Sequence, residues 1–270
     1  MHVASIHLYP VKGCYRTTVE RAVVEPWGLA GDRRWLIVRA DTGEALTQRD
    51  LPAMTQLRPQ LGEGGLLLTP DLPVPFPFAG ELVSVRVWSS DVAARRACSA
   101  DSSLSSMLGL PVWLVWLDDP TRRCVDPLFG GPQDRVSFAD GYPLLLANSG
   151  SLDALNDWIA ESGSLEGPLP MNRFRPNVVI SGAPAWAEDA WTGGRIRIGS
   201  VAFRVPKNCA RCVVTTTDQE TGERGREPLR TLARHRNVDQ RLLFATNLIP
   251  DGVGEIAVGD PVTELREWGR

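Results

Sequence analysis

The chain has 270 residues and only three histidines, none of them spaced as a metal-ligand pair. It also has no surplus of positive charge: the formal net charge is -3 and the pI is about 5.7. Nothing in the overall charge therefore favours a nucleic-acid partner or an anionic membrane. Any site that binds an anion must be local.

Export and membrane features are also missing. The first residues, MHVASIHLYPVKG, have no basic segment followed by an apolar run, so they do not resemble a signal peptide. The longest apolar stretch, near LPVWLVWL, is too short to cross a bilayer. The cysteines are odd in number, which predicts reduced thiols in a cytoplasmic protein rather than a disulfide framework. They are Cys14, Cys98, Cys124, Cys209 and Cys212.

Short runs rich in β-branched and aromatic residues dominate the chain and predict a β-rich α+β fold. These runs are VASIHLY, WLIVRA, LVSVRVW, VWLVWL, NVVIS, RIRIGSVAFRV, CVVTTTD and LLFATNLI. Tight turns separate several of them, at residues 41–44, 199–200 and 259–260, and predict hairpins within mostly antiparallel sheets.

The predicted helices are few and short. Residues 151–161 place four apolar side chains on one face, with Ser149 or Ser151 as the cap. Weaker patterns cover residues 99–109 and 227–235. The segment 118–135 mixes proline, glycine and charge, which predicts a linker or long surface loop and a break near residue 118.

The pair Cys209 and Cys212, in the run PKNCARCVVTTTDQETG, is open to several interpretations. A zinc clip needs four ligands and this pair supplies two. A redox dithiol normally opens a helix, whereas the following residues predict a strand. Two buried apolar thiols are a third interpretation, although Arg211 beside Cys212 is awkward in a dry core. An arginine next to a thiol favours the thiolate, so Cys212 alone could be a metal ligand.

Four short stretches carry a basic residue among turn-forming or small residues. If the strand ends beside them converge, their side chains form a pocket for a phosphate-bearing ligand. The alternative is that each is a solvated surface charge. The stretches are YPVKGC, GDRRW, NRFRPN and ARC.

Taken in order, YPVKG, GDRRWLIV with LTQRDLP, RFRPNVVISG, CARCVVTTTDQETG, EPLRTL and VGDPV resemble the MOSC-domain proteins that carry a MOSC N-terminal β-barrel domain. The resemblance covers essentially the whole chain and favours the amidoxime-reducing subgroup. It implies two mostly antiparallel β units with a few short helices: a β-barrel-like domain over 1–118 and a MOSC β-barrel domain over 119–266.

The resemblance also implies a molybdenum cofactor, a pterin dithiolene with a terminal phosphate. Cys212 matches the protein ligand to molybdenum, and Cys209 has no catalytic role. Asp218 matches a position near the metal and is carried over as a second catalytic residue. The matching cofactor-binding residues are Lys12, Arg33, Arg175, Asn177 and Arg211.

The implied reaction is reduction of small N-hydroxylated compounds such as amidoximes, hydroxylamines and N-hydroxylated bases. No cluster-binding cysteine series follows VGDPV, so we expect a separate electron donor of ferredoxin, flavoprotein or cytochrome type. The alternative is a non-catalytic carrier of the cofactor or of sulfur. Pyridoxal phosphate, used by MOSC-containing sulfurases, is not expected here because there is no room for the desulfurase domain.

Two positions depart from the family pattern. Gly13 stands where the family often has serine, which removes a hydroxyl contact to the phosphate. Gly141-Tyr142 stands where the family has Thr-Ser, and the tyrosine is expected to close off or reshape the pocket.

Overall fold

The computed structural model describes residues 1–265, and Arg266, the last residue of the predicted second domain, lies outside that range. Strands outnumber helices, as the β-rich runs predict. In chain order the strands are β1 (His2–Leu8), β2 (Thr17–Val19), β3 (Arg21–Glu25), β4 (Gly28–Leu29), β5 (Trp35–Arg39), β6 (Gln60–Gly62), β7 (Gly65–Thr69), β8 (Leu72–Pro75), β9 (Leu82–Val87), β10 (Ser90–Arg96), β11 (Val112–Trp116), β12 (Leu144–Asn148), β13 (Val178–Ser181), β14 (Arg195–Ile198), β15 (Val201–Arg204), β16 (Asn208–Ala210), β17 (Asn237–Val238), β18 (Arg241–Pro250), β19 (Gly254–Ala257) and β20 (Val262–Leu265).

The helices are short and lie close to their predicted positions. The α-helices are α1 (Asp101–Leu108), α2 (Ser149–Glu161) and α3 (Leu229–His235). The 3₁₀ helices are Pro52–Gln56, Cys98–Ala100, Pro120–Arg122, Met171–Phe174, Ala187–Trp191 and Val213–Thr216. Within residues 1–265, no helix is long and apolar enough to cross a membrane.

The sheets confirm the mostly antiparallel, β-rich α+β prediction. The largest has the order β2-β1-β13-β12-β18-β15-β14-β20, with β16 and β17 also paired to β18. Its β12–β13 pair is parallel and its other ladders are antiparallel. The three smaller sheets are β5-β11-β10-β9, β19-β3-β4 and β6-β7-β8.

Strand pairing crosses the division predicted near residue 118. The first strand, β1, pairs with β13, and β3 pairs with β19, so the first strands complete sheets formed by the end of the chain. One buried apolar cluster accordingly joins Val3 and Ile6 to Ile180 and Phe203. A second cluster lies within the first half of the chain, around Trp35. The boundary itself stays a prediction.

Three local predictions were wrong. The turn at 259–260 does not form a hairpin, because β19 pairs with β3 whereas β20 pairs with β14. Helix α2 is capped by Asn148, whose side chain accepts from the Gly150 amide at 3.1 Å, rather than by a serine. The run after Cys212 is a 3₁₀ helix and not a strand. There the Thr215 and Thr216 hydroxyls each donate to the carbonyl three residues earlier, at 2.8 Å.

Candidate functional site

One cavity collects most of the residues singled out in the sequence. Its volume is about 140 Å³, and it opens to solvent on one side. Both halves of the chain contribute to its walls. Six of the predicted residues line it: Lys12, Arg33, Arg175, Asn177, Arg211 and Cys212.

Lys12 and Arg33 are placed by backbone contacts between two neighbouring segments. The Lys12 amide donates to the Trp35 carbonyl at 2.9 Å, and the Arg33 amide donates to the Tyr9 carbonyl at 2.8 Å. Arg33 has a φ of 46°, in the left-handed region that non-glycine residues seldom occupy. Such strain is retained where the surroundings over-determine the conformation, here at the cavity wall.

Arg175 and Asn177 come from the segment between the 3₁₀ helix at Met171–Phe174 and β13. Arg175 also has a positive φ, 55°, and ends that helix. Asn177 is almost fully buried, and its Oδ1 accepts from Arg33 Nη1 at 2.9 Å. Its Nδ2 donates to the His7 carbonyl at 3.2 Å. Asn177 therefore ties β1 and Arg33 to the start of β13.

Tyr9 lies between two guanidinium groups. The Cζ of Arg33 is 4.2 Å from the ring centroid and that of Arg175 is 4.3 Å from it. Cation–π contacts of this kind orient both guanidinium groups, and Arg33 also forms an ion pair with the buried Asp32, with 2.6 Å between Nη1 and Oδ2. Burial lowers the pKa of Arg175 to about 10, so it stays charged at neutral pH. The cavity wall thus holds two fixed positive charges.

Lys12 pairs with Asp140 across the cavity, with a Nζ–Oδ1 distance of 2.5 Å. Burial lowers the pKa of Lys12, and Asp140 partly offsets this shift. Removal from water opposes ionisation of Asp140, but the neighbouring Lys12 ammonium lowers its pKa overall. The Asp140 side chain is 68% exposed, whereas that of Lys12 is 10% exposed. Water therefore screens the attraction between the two charges.

Cys212 also lines the cavity and is half-buried. Its Sγ accepts from Arg49 Nη2 at 3.1 Å. Its carbonyl accepts from the Thr215 amide at 3.0 Å, so the following helical turn fixes its backbone. Arg49 lies in the LTQRDLP segment and was given no role from the sequence.

Arg211 does not contact Cys212, although the sequence places the two side by side. Its Nη1 donates to Cys209 Sγ at 2.8 Å, and its Nη2 donates to the Phe174 carbonyl at 2.8 Å. The prediction that Arg211 stabilises a Cys212 thiolate was therefore wrong, because Arg211 donates to Cys209 and Arg49 donates to Cys212. Neighbours in an extended segment point in opposite directions, which is why Arg211 reaches Cys209.

Asp218 is not among the residues lining the cavity. Its Oδ2 accepts from Arg173 at 3.0 Å, and its Oδ1 accepts from the Glu220 and Thr221 amides at 2.8 and 3.0 Å. These contacts cap the turn of the TTTDQETG loop. The catalytic assignment of Asp218 stays a prediction, and the geometry gives this side chain a structural task.

Two glutamines lock the cavity segments together, and the sequence did not point to them. Gln48 and Gln219 are both buried and exchange amide hydrogen bonds in both directions, each at 3.0 Å. Gln219 Oε1 also accepts from Arg175 at 2.9 Å, and Gln48 donates to the Gly13 carbonyl at 2.7 Å. Both lie in stretches that carry the family resemblance, Gln48 in LTQRDLP and Gln219 in CARCVVTTTDQETG. That resemblance was the one signal in the sequence that could have identified them.

The two departures from the family pattern have different structural consequences. Gly13 has a φ of 84°, and a Cβ there would lie 2.8 Å from Met54 Cε, so this loop is built for glycine. Tyr142 lines the cavity and is 8% exposed, and its hydroxyl has no partner among the described residues. An unpartnered buried hydroxyl is costly unless a ligand or water satisfies it.

Chemically, the cavity offers cations, the carboxylate of Asp140 and two thiols, those of Cys209 and Cys212. Among residues 1–265 no group of three or more His, Cys, Asp or Glu side chains could enclose a metal ion. Cys212 could therefore give a metal a single protein ligand, with the other ligands supplied by a cofactor. Lys12, Arg33 and Arg175 suit the anionic part of such a molecule.

Comparison with protein-family models gives two matches along the chain. The MOSC N-terminal beta barrel domain matches residues 1–111, and the MOSC domain matches residues 133–263.

Full-length relatives are also similar. The mitochondrial amidoxime-reducing component 1 of Homo sapiens is 31% identical over 96% of this chain and 82% of its own length. The mitochondrial amidoxime reducing component 2 of Homo sapiens is 30% identical over 97% and 83%. The molybdenum cofactor sulfurase of Oryza sativa subsp. japonica is 29% identical over 96% of this chain but only 34% of its own length. Among solved structures, the YUAD protein from Bacillus subtilis gives a TM-score of 0.41 at 10% identity, covering 96% of this chain and 92% of its own.

Proposed function

Because this chain belongs to the MOSC-domain family, with a MOSC N-terminal beta barrel domain preceding the MOSC domain, we propose that it binds a molybdenum cofactor and reduces N-hydroxylated compounds. The observation that carries this proposal is the convergence of Lys12, Arg33 and Arg175 with Cys212 on one cavity. The amidoxime-reducing relatives support the reaction class.

The residues present fit a pterin cofactor that carries a phosphate. Two fixed guanidinium groups and a buried ammonium suit the phosphate, since arginine binds such oxygens through paired N–H donors. Cys212 suits the metal end because thiolate is a soft ligand. Gln48 and Gln219 hold the wall segments without entering this chemistry.

When bound, the cofactor supplies the electron pair that breaks the N–O bond. Converting N–OH to N–H and water also consumes two protons. The chain's own residues would bind and orient the cofactor: the arginine pair on Tyr9 would hold its anionic part, and Cys212 would hold its metal. Asp140 balances Lys12 in the absence of another anion, so phosphate binding at Lys12 has to compete with this carboxylate.

We further propose that electrons come from a separate cytoplasmic protein of ferredoxin, flavoprotein or cytochrome type. Within the described residues, no cluster of cysteines could hold an iron–sulfur centre. The names of the amidoxime-reducing relatives support the substrate class and leave the donor to be identified.

The test combines cofactor analysis with activity. Freshly purified protein should release a pterin and contain molybdenum in a near-equal ratio. It should reduce benzamidoxime to benzamidine with a chemical electron donor, whereas protein made without the cofactor should not. Cofactor without turnover on amidoximes or hydroxylamines would favour a carrier of the cofactor or of sulfur, and absence of both would reject the proposal.

A further inference from the structure

Arg49 is the only residue whose side chain donates to Cys212 Sγ among the hydrogen bonds of residues 1–265, and it comes from the opposite half of the chain. Within those residues no carboxylate forms an ion pair with its guanidinium. Its side-chain hydrogen bonding there is limited to the sulfur, although a guanidinium carries five N–H donors. A positive charge with unused donors therefore lies beside the sulfur, facing the cavity that it lines.

The position of Arg49 is held by Trp88, at the tip of the hairpin between β9 and β10. The Arg49 Cζ is 4.5 Å from the indole centroid, a cation–π contact. Trp88 Nε1 donates to Asp140 Oδ1 at 3.2 Å, which holds the ring against a residue of the cavity wall. Trp88 is 54% exposed and has a φ of 57°.

That backbone conformation costs energy for a bulky residue. Neither exposure nor strain is expected of a tryptophan that only fills space. The strained hairpin tip is explained if it serves to place the indole under Arg49.

We propose that Arg49 is the positioning residue for Cys212: it fixes the sulfur at the cavity wall and presents its remaining N–H donors to an oxygen anion that binds beside that sulfur. Trp88 in turn positions Arg49. The class of ligand is an oxyanion or the oxygen of an N–O group. The inference rests on the proposed function only in taking Cys212 as the reactive end of the cavity.

The chain contains a matched control. Arg211 donates to Cys209 at 2.8 Å, as Arg49 donates to Cys212 at 3.1 Å, so each thiol has one arginine. Arg211, however, also donates to the Phe174 carbonyl. An effect specific to Arg49 must appear at Cys212 and leave Cys209 unchanged.

The experiment measures alkylation of each cysteine in the full chain prepared without cofactor. Iodoacetate carries a carboxylate and iodoacetamide is neutral, so the ratio of their rates reports the positive charge beside each sulfur. Peptide mass spectrometry assigns the rates to Cys212 and Cys209 separately. In Arg49→Gln the ratio at Cys212 should fall about fivefold, as expected for loss of one unit charge near 4 Å in a largely aqueous setting.

The companion variants separate charge from structure. Arg49→Lys should restore most of the ratio at Cys212, and Arg211→Gln should lower the ratio at Cys209 alone. Trp88→Ala, a change at an exposed site, should lower the ratio of alkylation rates at Cys212 about twofold, because Arg49 loses its cation–π contact. This variant tests the proposal if Arg49→Gln does not fold. An unchanged Cys212 ratio, or equal falls at both cysteines, would overturn the proposal. Because no cofactor is involved, a failure to reduce amidoximes would reject the proposed function without affecting this result.

Discussion

The cavity residues around Tyr9, called here the cationic end, have more hydrogen-bond partners than those around Cys212, called here the sulfur end. At the cationic end, around Tyr9, each charged side chain is held by several partners: Arg33 by Asp32 and Asn177, and Arg175 by Gln219 and the Cys14 carbonyl. At the sulfur end, Cys212 and Cys209 each accept from one arginine; Cys209 lies in the short strand β16, and Cys212 directly precedes the 3₁₀ helix at Val213–Thr216.

This difference indicates that the two groups of residues have separate tasks. A rigid, pre-charged end binds an anionic group with little reorganisation, since its cations are already oriented. At the sulfur end each thiol accepts from a single arginine, so losing that one donor should change the surroundings of the sulfur more than losing one partner changes the cationic end. We therefore expect changes at the cationic end to alter retention and stability, and changes at the sulfur end to alter turnover.

The two cysteines provide the largest expected effect. Cys212→Ser should lower amidoxime reduction by more than about 100-fold, beyond the effect typical of residues that only support a metal ligand, because serine offers a harder oxygen. Cys209→Ser should stay within about threefold of wild type, since a partly exposed position tolerates a polar isostere. Donor-dependent reduction and molybdenum content are the measurements.

Equal and complete loss in both variants would break the comparison, because it would indicate a dithiol or zinc pair. Unchanged turnover in Cys212→Ser would remove the ligand assignment.

Arg175 gives the next largest effect. Arg175→Ala should weaken pterin retention about 10- to 100-fold, the range for losing a charge-assisted hydrogen bond of about 1.5–3 kcal/mol. Arg195→Ala makes the same change of charge at an exposed position of β14 and serves as the control. Pterin fluorescence after release from purified protein measures the occupancy. Full occupancy in Arg175→Ala would show that the cationic end does not hold the cofactor.

The glutamine pair tests how rigid the cationic end is. Gln219→Leu should lower the free energy of unfolding by about 1–3 kcal/mol, because it leaves the Gln48 amide buried without its partner. Gln48→Leu with Gln219→Leu should cost less than the sum of the single changes. Urea unfolding of the three variants gives the coupling energy. Strict additivity would mean that the pair does not lock the two segments.

The smallest expected effect is the loss of stability at low pH that is caused by His7. Burial, and then the nearby Arg16, lower the pKa of His7 from 6.5 to about 4, so the fold favours neutral imidazole. The resulting stability is fully present above pH 6.5 and is lost as the pH falls towards 4. Between pH 7 and 5 the wild type should lose about 1–2 kcal/mol more than His7→Gln.

Urea unfolding at the two pH values measures this difference. Because the His7 carbonyl accepts from Asn177, the loss should come with weaker anion binding at the cationic end. Parallel pH curves for the two proteins would contradict the assignment to His7.

Much of the fold could be predicted because its strands have recognisable local sequence patterns. The alternating pattern of β14 and β15 and the tight turn between them predict their pairing, and the structure confirms it. The run after Cys212 was misjudged because threonine favours strands on average, whereas here two threonine hydroxyls bond backward to the main chain. The turn at 259–260 was misjudged because a local turn does not state which strands it joins.

The site shows the same limit. Basic residues in turn-like segments could be proposed from the sequence, and the cavity brings them together. Arg49 could not be assigned, because its contact with Cys212 spans 163 positions and only tertiary packing creates it. The contact predicted for Arg211 was wrong for the opposite reason, because its adjacency to Cys212 in sequence was taken to mean contact in space.

The pairing of the first strands with the last has a consequence for how the chain acquires its cavity during synthesis. β1 needs β13, and β3 needs β19, which starts at residue 254. Such long-range contacts form late because loop closure must precede them. Lys12 and Arg33 leave the ribosome early, but the sheets beside them are completed only after β13 and β19 have been synthesised. The cavity is therefore expected to assemble, and to accept a ligand, only after residue 257 has emerged.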